Sequence, residues 1–474
     1  MTTRKHGKGS GTSSESFSAG RRRFIAGVAA AAGGLALNSR GSAAGLQAEG
    51  AALSALPDPA TCGIDHIVVV MMENRSFDHF LGWVPGANGV QAGTTLKDKA
   101  GKSFQSYNLA PHYQNCLLAD PDHSYAGGRT EINDGAMDGF LLTQPNGDTF
   151  PLGYYTADSL PFFKGCADNW TICDSYFSGI LAPTTPNRFY MHAGQTDRVS
   201  NTTTTSTLPT VWDSMLGAGR KVAYYYADVS YTALWGSKYK SFSQPFSKFA
   251  ADVAGGKLAD LTYIDNVGTD IHELFGVSRD DHPYADVRDG QAFLNQVYNT
   301  IRLGPHWAST LMIINYDEWG GFYDHVAPPF APVTAQEFAA TGNDGRLGCR
   351  VPCVLIGPHA RRGVVEHTQF DPNSILNMIA WRFGFEPLGA RASSINIAHA
   401  LDFSSSNGYA PLFTVPPGPF GGLAIDACLP LGELPVVLDL LSPAFSKLSV
   451  ADQRRVEHEK ELADLRALGK RYGF

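Results

Sequence analysis

The 474-residue chain has no apolar run longer than the 14 residues from Phe24 to Leu37. A bilayer span needs about 20 such residues, so a multi-pass membrane protein is excluded. Past residue 44, Lys and Arg never cluster beyond a pair such as Arg361-Arg362. A nucleic-acid partner, which needs a basic footprint, is therefore disfavoured. The phosphate-binding pattern GxxxxGK[ST] and the nucleophile elbow GxSxG are both missing, so P-loop binding and lipase-type acyl transfer lose their sequence support. No Cys-x-x-Cys occurs, and no Cys/His set has zinc-finger spacing. With 43% hydrophobic and 17% charged residues the balance is that of a globular protein, which excludes disorder and coiled coil.

What is there begins with an atypical N-terminus. Residues 1–44 hold seven basic residues against the single acid Glu15. Arg21-Arg22-Arg23-Phe24-Ile25 leads into the apolar run, and Ser42-Ala43-Ala44 follows it. This order is that of a twin-arginine secretory signal, so residues 1–44 are expected to be an export signal and 45–474 a single domain. The expected location is the periplasm or the exterior, after folding. Without the signal, 30 basic and 44 acidic residues remain, a net charge of −14. Among seven cysteines, Cys166 with Cys173 and Cys349 with Cys353 are near enough in sequence for local disulfides.

Three short apolar runs, His66–Met72, Leu311–Tyr316 and Val351–Ile356, read as strands buried on both faces. Between the first two, Phe293, Val297 and Ile301 recur at helical spacing. Strands of this kind alternating with helices predict an α/β fold with a largely parallel sheet, whose ligands bind beyond the carboxyl ends of the strands. Residues 201–206 and 416–422 read as loops. The charged tail, with Val456, Leu462, Leu465 and Leu468 apolar, reads as an amphipathic surface helix.

Two of the strands stop at polar pairs, Glu73-Asn74 and Asp317-Glu318. Carboxylate and amide oxygens suit a divalent cation, and two strand ends side by side could supply them. In the segment 182–188, APTTPNR, Pro186 suits a first helical turn. Thr184 and Thr185 would then lie at a helix N-terminus, where one could attack a phosphate or simply cap the helix. Asn187 and Arg188 are candidates for substrate contact, and Arg188 could equally pair with an acid. His123, His282 and His325 lie in polar surroundings where an imidazole could protonate a leaving alkoxide or hold a phosphoryl oxygen. His192, beside Met191 and Ala193, reads as structural.

The segments 66–82 (HIVVVMMENRSFDHFLG), 182–188 and 316–326 (YDEWGGFYDHV), in this order with DHSY, MDGF and HPYADVRDG at their places, resemble the bacterial phospholipase C and acid phosphatase family, which includes plant non-specific phospholipases C. The resemblance covers most of residues 60–402. It implies a fold similar to alkaline phosphatase and a metal-dependent phosphoesterase. It further implies Glu73, Asn74, Asp317 and Glu318 as metal ligands, Thr184 as nucleophile, with Thr185 as the fallback, and His123, His282 and His325 as phosphoryl-binding or proton-donating groups. The expected substrate is a phospholipid or related phosphodiester, with peripheral membrane contact through it; the alternative is a phosphomonoesterase of acid phosphatase type. Ala182 stands where the family commonly has glycine, and Asp371-Pro372-Asn373-Ser374 where many members have Asp-His-Thr-Ser. Longer phospholipases of the family also carry C-terminal β-rich modules, for which 474 residues leave no room, and this points away from membrane lipid.

Overall fold

The computed structural model describes residues 55–115, 118–266, 278–420 and 448–474, together with Leu53 and Ser446. Those past Leu53 belong to one compact unit, Ser54–Phe474. The expected export signal lies outside the described residues, as do Cys116, Cys428 and part of the 416–422 loop. No helix among the described residues is long and apolar enough to cross a membrane.

The centre is an eight-stranded sheet. In chain order its strands are β1 (His66–Met72), β6 (Thr171–Cys173), β7 (Val222–Tyr226), β8 (Ser243–Pro245), β9 (Leu261–Asp265), β10 (Thr310–Tyr316), β11 (Cys353–Ile356) and β12 (Val364–Glu366). Across the sheet they run β12-β6-β11-β10-β1-β9-β7-β8. Two small ribbons, β2 (Thr95–Lys97) with β3 (Ser103–Gln105) and β4 (Tyr107–Asn108) with β5 (Gly153–Tyr154), stand apart. All pairings in the large sheet are parallel except those of β11, which runs against both β10 and β6. The expected α/β class with a largely parallel sheet is therefore what the chain forms.

Every residue of β1 and β10 is buried, as their continuous apolar sequences require of strands covered on both faces. The helix Val287–Arg302 packs against the helices Pro161–Asn169 and Phe249–Ala254. Its predicted stripe Phe293, Val297 and Ile301 is buried, and Asp286 caps its start by accepting from the Arg288 amide. Asp371-Pro372-Asn373-Ser374 begins the helix Pro372–Phe383, where Asp371 and Ser374 form a reciprocal capping box and Pro372 occupies the first turn. That gives the unusual tetrapeptide a structural role.

Of the two readings open to the cysteine pairs, local disulfides or buried thiols, the second is formed: Cys166, Cys173, Cys349 and Cys353 are buried and free. Strand register decides which thiols meet. Leu355 faces Thr171 and Val354 faces Ile172 across β11 and β6, which brings Cys353 opposite Cys173. The Cys173 thiol is pushed well up by its hydrogen bond with Cys353 and by burial.

Candidate functional site

β1 and β10 run in parallel register, from His66 opposite Thr310 to Met72 opposite Tyr316. The two strands thus end at the same level, and the next residues, Glu73-Asn74 and Asp317-Glu318, leave the same edge of the sheet together. Backbone contacts hold the two turns against each other. The Asp317 amide donates to the Met72 carbonyl (3.1 Å), and the Arg75 amide to the Glu318 carbonyl (3.1 Å). Asn74 takes the left-handed conformation (φ 57°), which asparagine tolerates better than most residues. Gly320 is also left-handed (φ 61°), and a Cβ there would stand 2.3 Å from the Asn74 carbonyl oxygen. Only glycine fits that approach.

The helix Thr184–Ala193 points its N-terminus at this edge. Neither threonine caps it. Thr184 is already its first residue, and the Thr185 amide is capped from outside by Asn201 Oδ1 (2.8 Å). The Thr184 hydroxyl instead donates to Asn74 Oδ1 at 3.3 Å, joining residues 110 positions apart. Both threonines line a cavity of about 300 Å³ that Glu73 also reaches.

Asn187 and Arg188 do other work than substrate contact. Asn187 is buried and pins the approach to the helix: its Oδ1 accepts from the Ile180 amide, and its Nδ2 donates to the carbonyls of Ala182 and Pro183. Arg188 is 1% exposed and spends its donors on acids. It reaches Asp317 Oδ2 (3.2 Å) and Glu73 Oε1 (2.9 Å), and also binds Asp265. Burial opposes its charge, but Asp317 and Glu73 more than offset this and hold it protonated. Of the two roles open to Arg188 from sequence, pairing with acids is the one formed.

The acids outnumber this cation. Asp317 Oδ1 is satisfied by the amides of Asn74 (3.1 Å) and Glu318 (2.7 Å), and Glu318 Oε2 by that of Gly320 (2.8 Å). Glu318 Oε1, in a fully buried side chain, has no hydrogen-bond partner among the described residues and lies 3.7 Å from His123 Nδ1. Burial, reinforced by Asp317, pushes the Glu318 carboxyl well above the ordinary range; burial pushes that of Asp317 up to about 6. A buried surplus of carboxylates with an orphaned oxygen is costly without a further cation. Glu73, Asn74, Asp317 and Glu318 thus fit a divalent cation by donor chemistry, although here Arg188 stands between Glu73 and Asp317 and their carboxylates are not at ligand spacing.

The histidines divide. Burial, and then His282, lowers His123 to about 3, so it is neutral where it faces Glu318. His282 Nε2 lies 3.6 Å from Asp120 Oδ2, and burial followed by His458 holds its pKa well below the usual value. His325 belongs to a different cluster, where Nδ1 bonds Asp78 Oδ2 (2.6 Å) and Nε2 meets Asn88 Oδ1 (3.1 Å). Asp78, Asp324 and His325 have ligand-like spacing, but Arg350 already bridges the two acids. His192 is buried in the core and accepts from Trp212 Nε1, in keeping with a structural role.

Several site residues escaped the sequence reading. Asp265 ends β9, level with Met71 of β1, and also accepts from the Tyr224 hydroxyl (2.6 Å). Its stretch LTYIDN carries the same signal as the other two strand ends, an apolar run stopped by polar residues. Asp120 lies three residues before His123. His458, from the tail helix Val450–Tyr472, stacks on His282 with ring centroids 3.8 Å apart. The expected amphipathic helix forms, with Val456, Leu462, Leu465 and Leu468 buried, but it packs across the site.

Comparison with known proteins adds the following. The model of the Phosphoesterase family matches residues 64–386. Non-specific phospholipase C1 of Arabidopsis thaliana is 31% identical over 359 residues, 66% of this chain and 65% of its own length. Phospholipase C B of Mycobacterium tuberculosis is 30% identical over 392 residues, 68% of this chain and 73% of its own. The chain thus spans just under two thirds of the plant relative. Among solved structures, the lipoteichoic acid synthase LtaP of Listeria monocytogenes overlaps 88% of this chain at 9% identity, with a TM-score of 0.37.

Proposed function

The chain belongs to the Phosphoesterase family, and from that premise we propose that it is an exported phosphoester hydrolase of phospholipase C type, with Thr184 as nucleophile. The observation that carries this reading is the bond from the Thr184 hydroxyl to Asn74 Oδ1, which ties a helix N-terminus to the paired strand ends. A divalent cation held by Glu73, Asn74, Asp317 and Glu318 would lower the pKa of that hydroxyl and neutralise phosphoryl charge.

The chain's own groups do the rest. Thr184 Oγ1 attacks phosphorus in line, its proton leaving to solvent or a neighbouring base, while the bond from phosphorus to the alcohol oxygen breaks. The helix N-terminus beside Thr184 offers a positive dipole end to the phosphoryl oxygens. His282, 3.6 Å from Asp120, or His123 is neutral at rest; it takes up a proton, from Thr184 or from water, and passes it to the departing alkoxide. Water then cleaves the phosphothreonine by the reverse path. Arg188 holds Glu73 and Asp317 in place, and His325 stands outside these steps. For a phospholipid the products are diacylglycerol and a phosphorylated head group.

Replacement of Thr184 by alanine tests the reading. The variant is expected to lose at least about 10³-fold in kcat/KM on phosphatidylcholine and on p-nitrophenyl phosphate, with its fold and metal content retained, while Thr184→Ser keeps measurable turnover. Retained activity in T184A would rule out the nucleophile. Export is tested separately by replacing Arg21, Arg22 and Arg23 with lysine, which should leave the protein in the cytoplasm.

A further inference from the structure

The helix Val450–Tyr472 lies beyond the family match at 64–386, yet three of its residues reach the site. Arg454, His458 and Glu461 recur four and three positions apart and so share one helix face. Arg454 grips the loop that carries Asp120 and His123: Nη1 donates to the Asp120 carbonyl (2.6 Å) and to Gln144 Oε1 (2.9 Å), and Nη2 to the Thr143 carbonyl (2.8 Å). Glu461 grips the opposite shoulder. Its Oε2 accepts from Asn201 Nδ2 (2.8 Å), and Asn201 Oδ1 in turn caps the helix that begins at Thr184. Between these two anchors the His458 ring lies flat on His282, with 7° between the planes.

His458 and Glu461 also stand between two cavities. One, of about 300 Å³, reaches Glu73 and Thr184; the other, of about 330 Å³, reaches Asp120 and His123. Each has room for a phosphoryl group and a compact substituent, near the small end of ligand pockets, and far too little for two acyl chains. Building on the reading of Thr184 as nucleophile, we propose that this helix is a working wall of the phosphoester site. Its His458 narrows the site, so that compact phosphoesters are favoured over the bulkier lipid esters that the phospholipase C chemistry also admits. Removing the imidazole joins the two cavities and makes room for a bulkier ester.

The test compares kcat/KM for p-nitrophenyl phosphate and for phosphatidylcholine in detergent micelles. In His458→Ala the ratio is expected to shift at least tenfold towards the lipid, while Lys470→Ala, exposed on the same helix, leaves it within twofold of the wild type. If H458A does not fold, H458Q is read in its place, with a shift in the same direction. A ratio within twofold of wild type in the folded variant, or an equal fall on both substrates, overturns the proposal. T184A separates the two ideas. If T184A is inactive and the ratio does not move, only the wall fails; if T184A still turns over, the nucleophile fails.

Discussion

Two buried arginines each hold a nest of acids, and the nests balance differently. Arg350 faces Asp78 and Asp324, whose four carboxylate oxygens all accept hydrogen bonds, from Arg350 itself, from His325 and from the amides of Asp78, Val90, His325 and Val326. Its remaining nitrogen donates to the carbonyls of Asn88 and Asp174. Arg188 faces Glu73, Asp265 and Asp317, with Glu318 beside them and one Glu318 oxygen orphaned. The first nest is satisfied from within the chain and needs nothing more. In the second the acids outnumber the arginine among the described residues, and that imbalance marks where chemistry is to be sought. Cluster spacing alone points to the first nest, and the balance of acids against cation points to the second.

The comparison can be broken from either side. The largest effect is expected from Glu318→Gln, which removes surplus charge. Activity should fall roughly 10²-fold or more with lowered divalent-metal content, while the thermal midpoint holds or rises. Elemental analysis beside kinetics checks this, and full activity in E318Q would erase the distinction. Arg350→Met should do the reverse. It leaves two acids buried without their cation and is expected to cost about 3–5 kcal/mol in denaturant unfolding, with kcat/KM of the folded fraction within threefold of wild type.

His325→Ala sharpens the contrast further. If His325 serves only the Arg350 nest, stability drops by about 1 kcal/mol and the pH–rate profile keeps its shape. A lost limb in that profile would return His325 to catalysis. The last concerns one buried acid that accepts from the Tyr316 hydroxyl. Burial pushes the Asp281 carboxyl up to about 7 from 3.8, so the folded chain keeps a proton that the unfolded chain has released between those values. The stabilising contribution is complete below pH 4 and fades as pH rises through 7. Asp281→Asn, which suits the positive φ of 73°, should flatten that decline in thermal midpoint between pH 5 and 8.

The sheet was legible because strands buried on both faces leave nearly unbroken apolar runs, and the polar stops after Met72 and Tyr316 marked its functional edge. Register was not legible: nothing in the sequence says that Met72 lies opposite Tyr316, and everything at the site depends on that. Asp265 shows the same limit, since the stop after Ile264 was present but its strand's place beside β1 was not. His123, His282 and His325 have similar local surroundings, and only the fold separates the third from the other two. For the tail helix, amphipathic spacing revealed which face is buried but not what it is buried against. The cysteine contacts were illegible for the register reason again, with Cys173 meeting Cys353 across two strands.

The close approach of Gly320 to Asn74 has a consequence for how this protein can vary. The backbone turn at Asn74 is possible only because a residue in the turn after β10 carries a hydrogen where all others carry carbon, so the two turns cannot drift independently. A mutational library built over residues 73–75 alone, or 317–320 alone, should return few survivors. One that randomises both stretches at once should recover paired solutions that neither search would find.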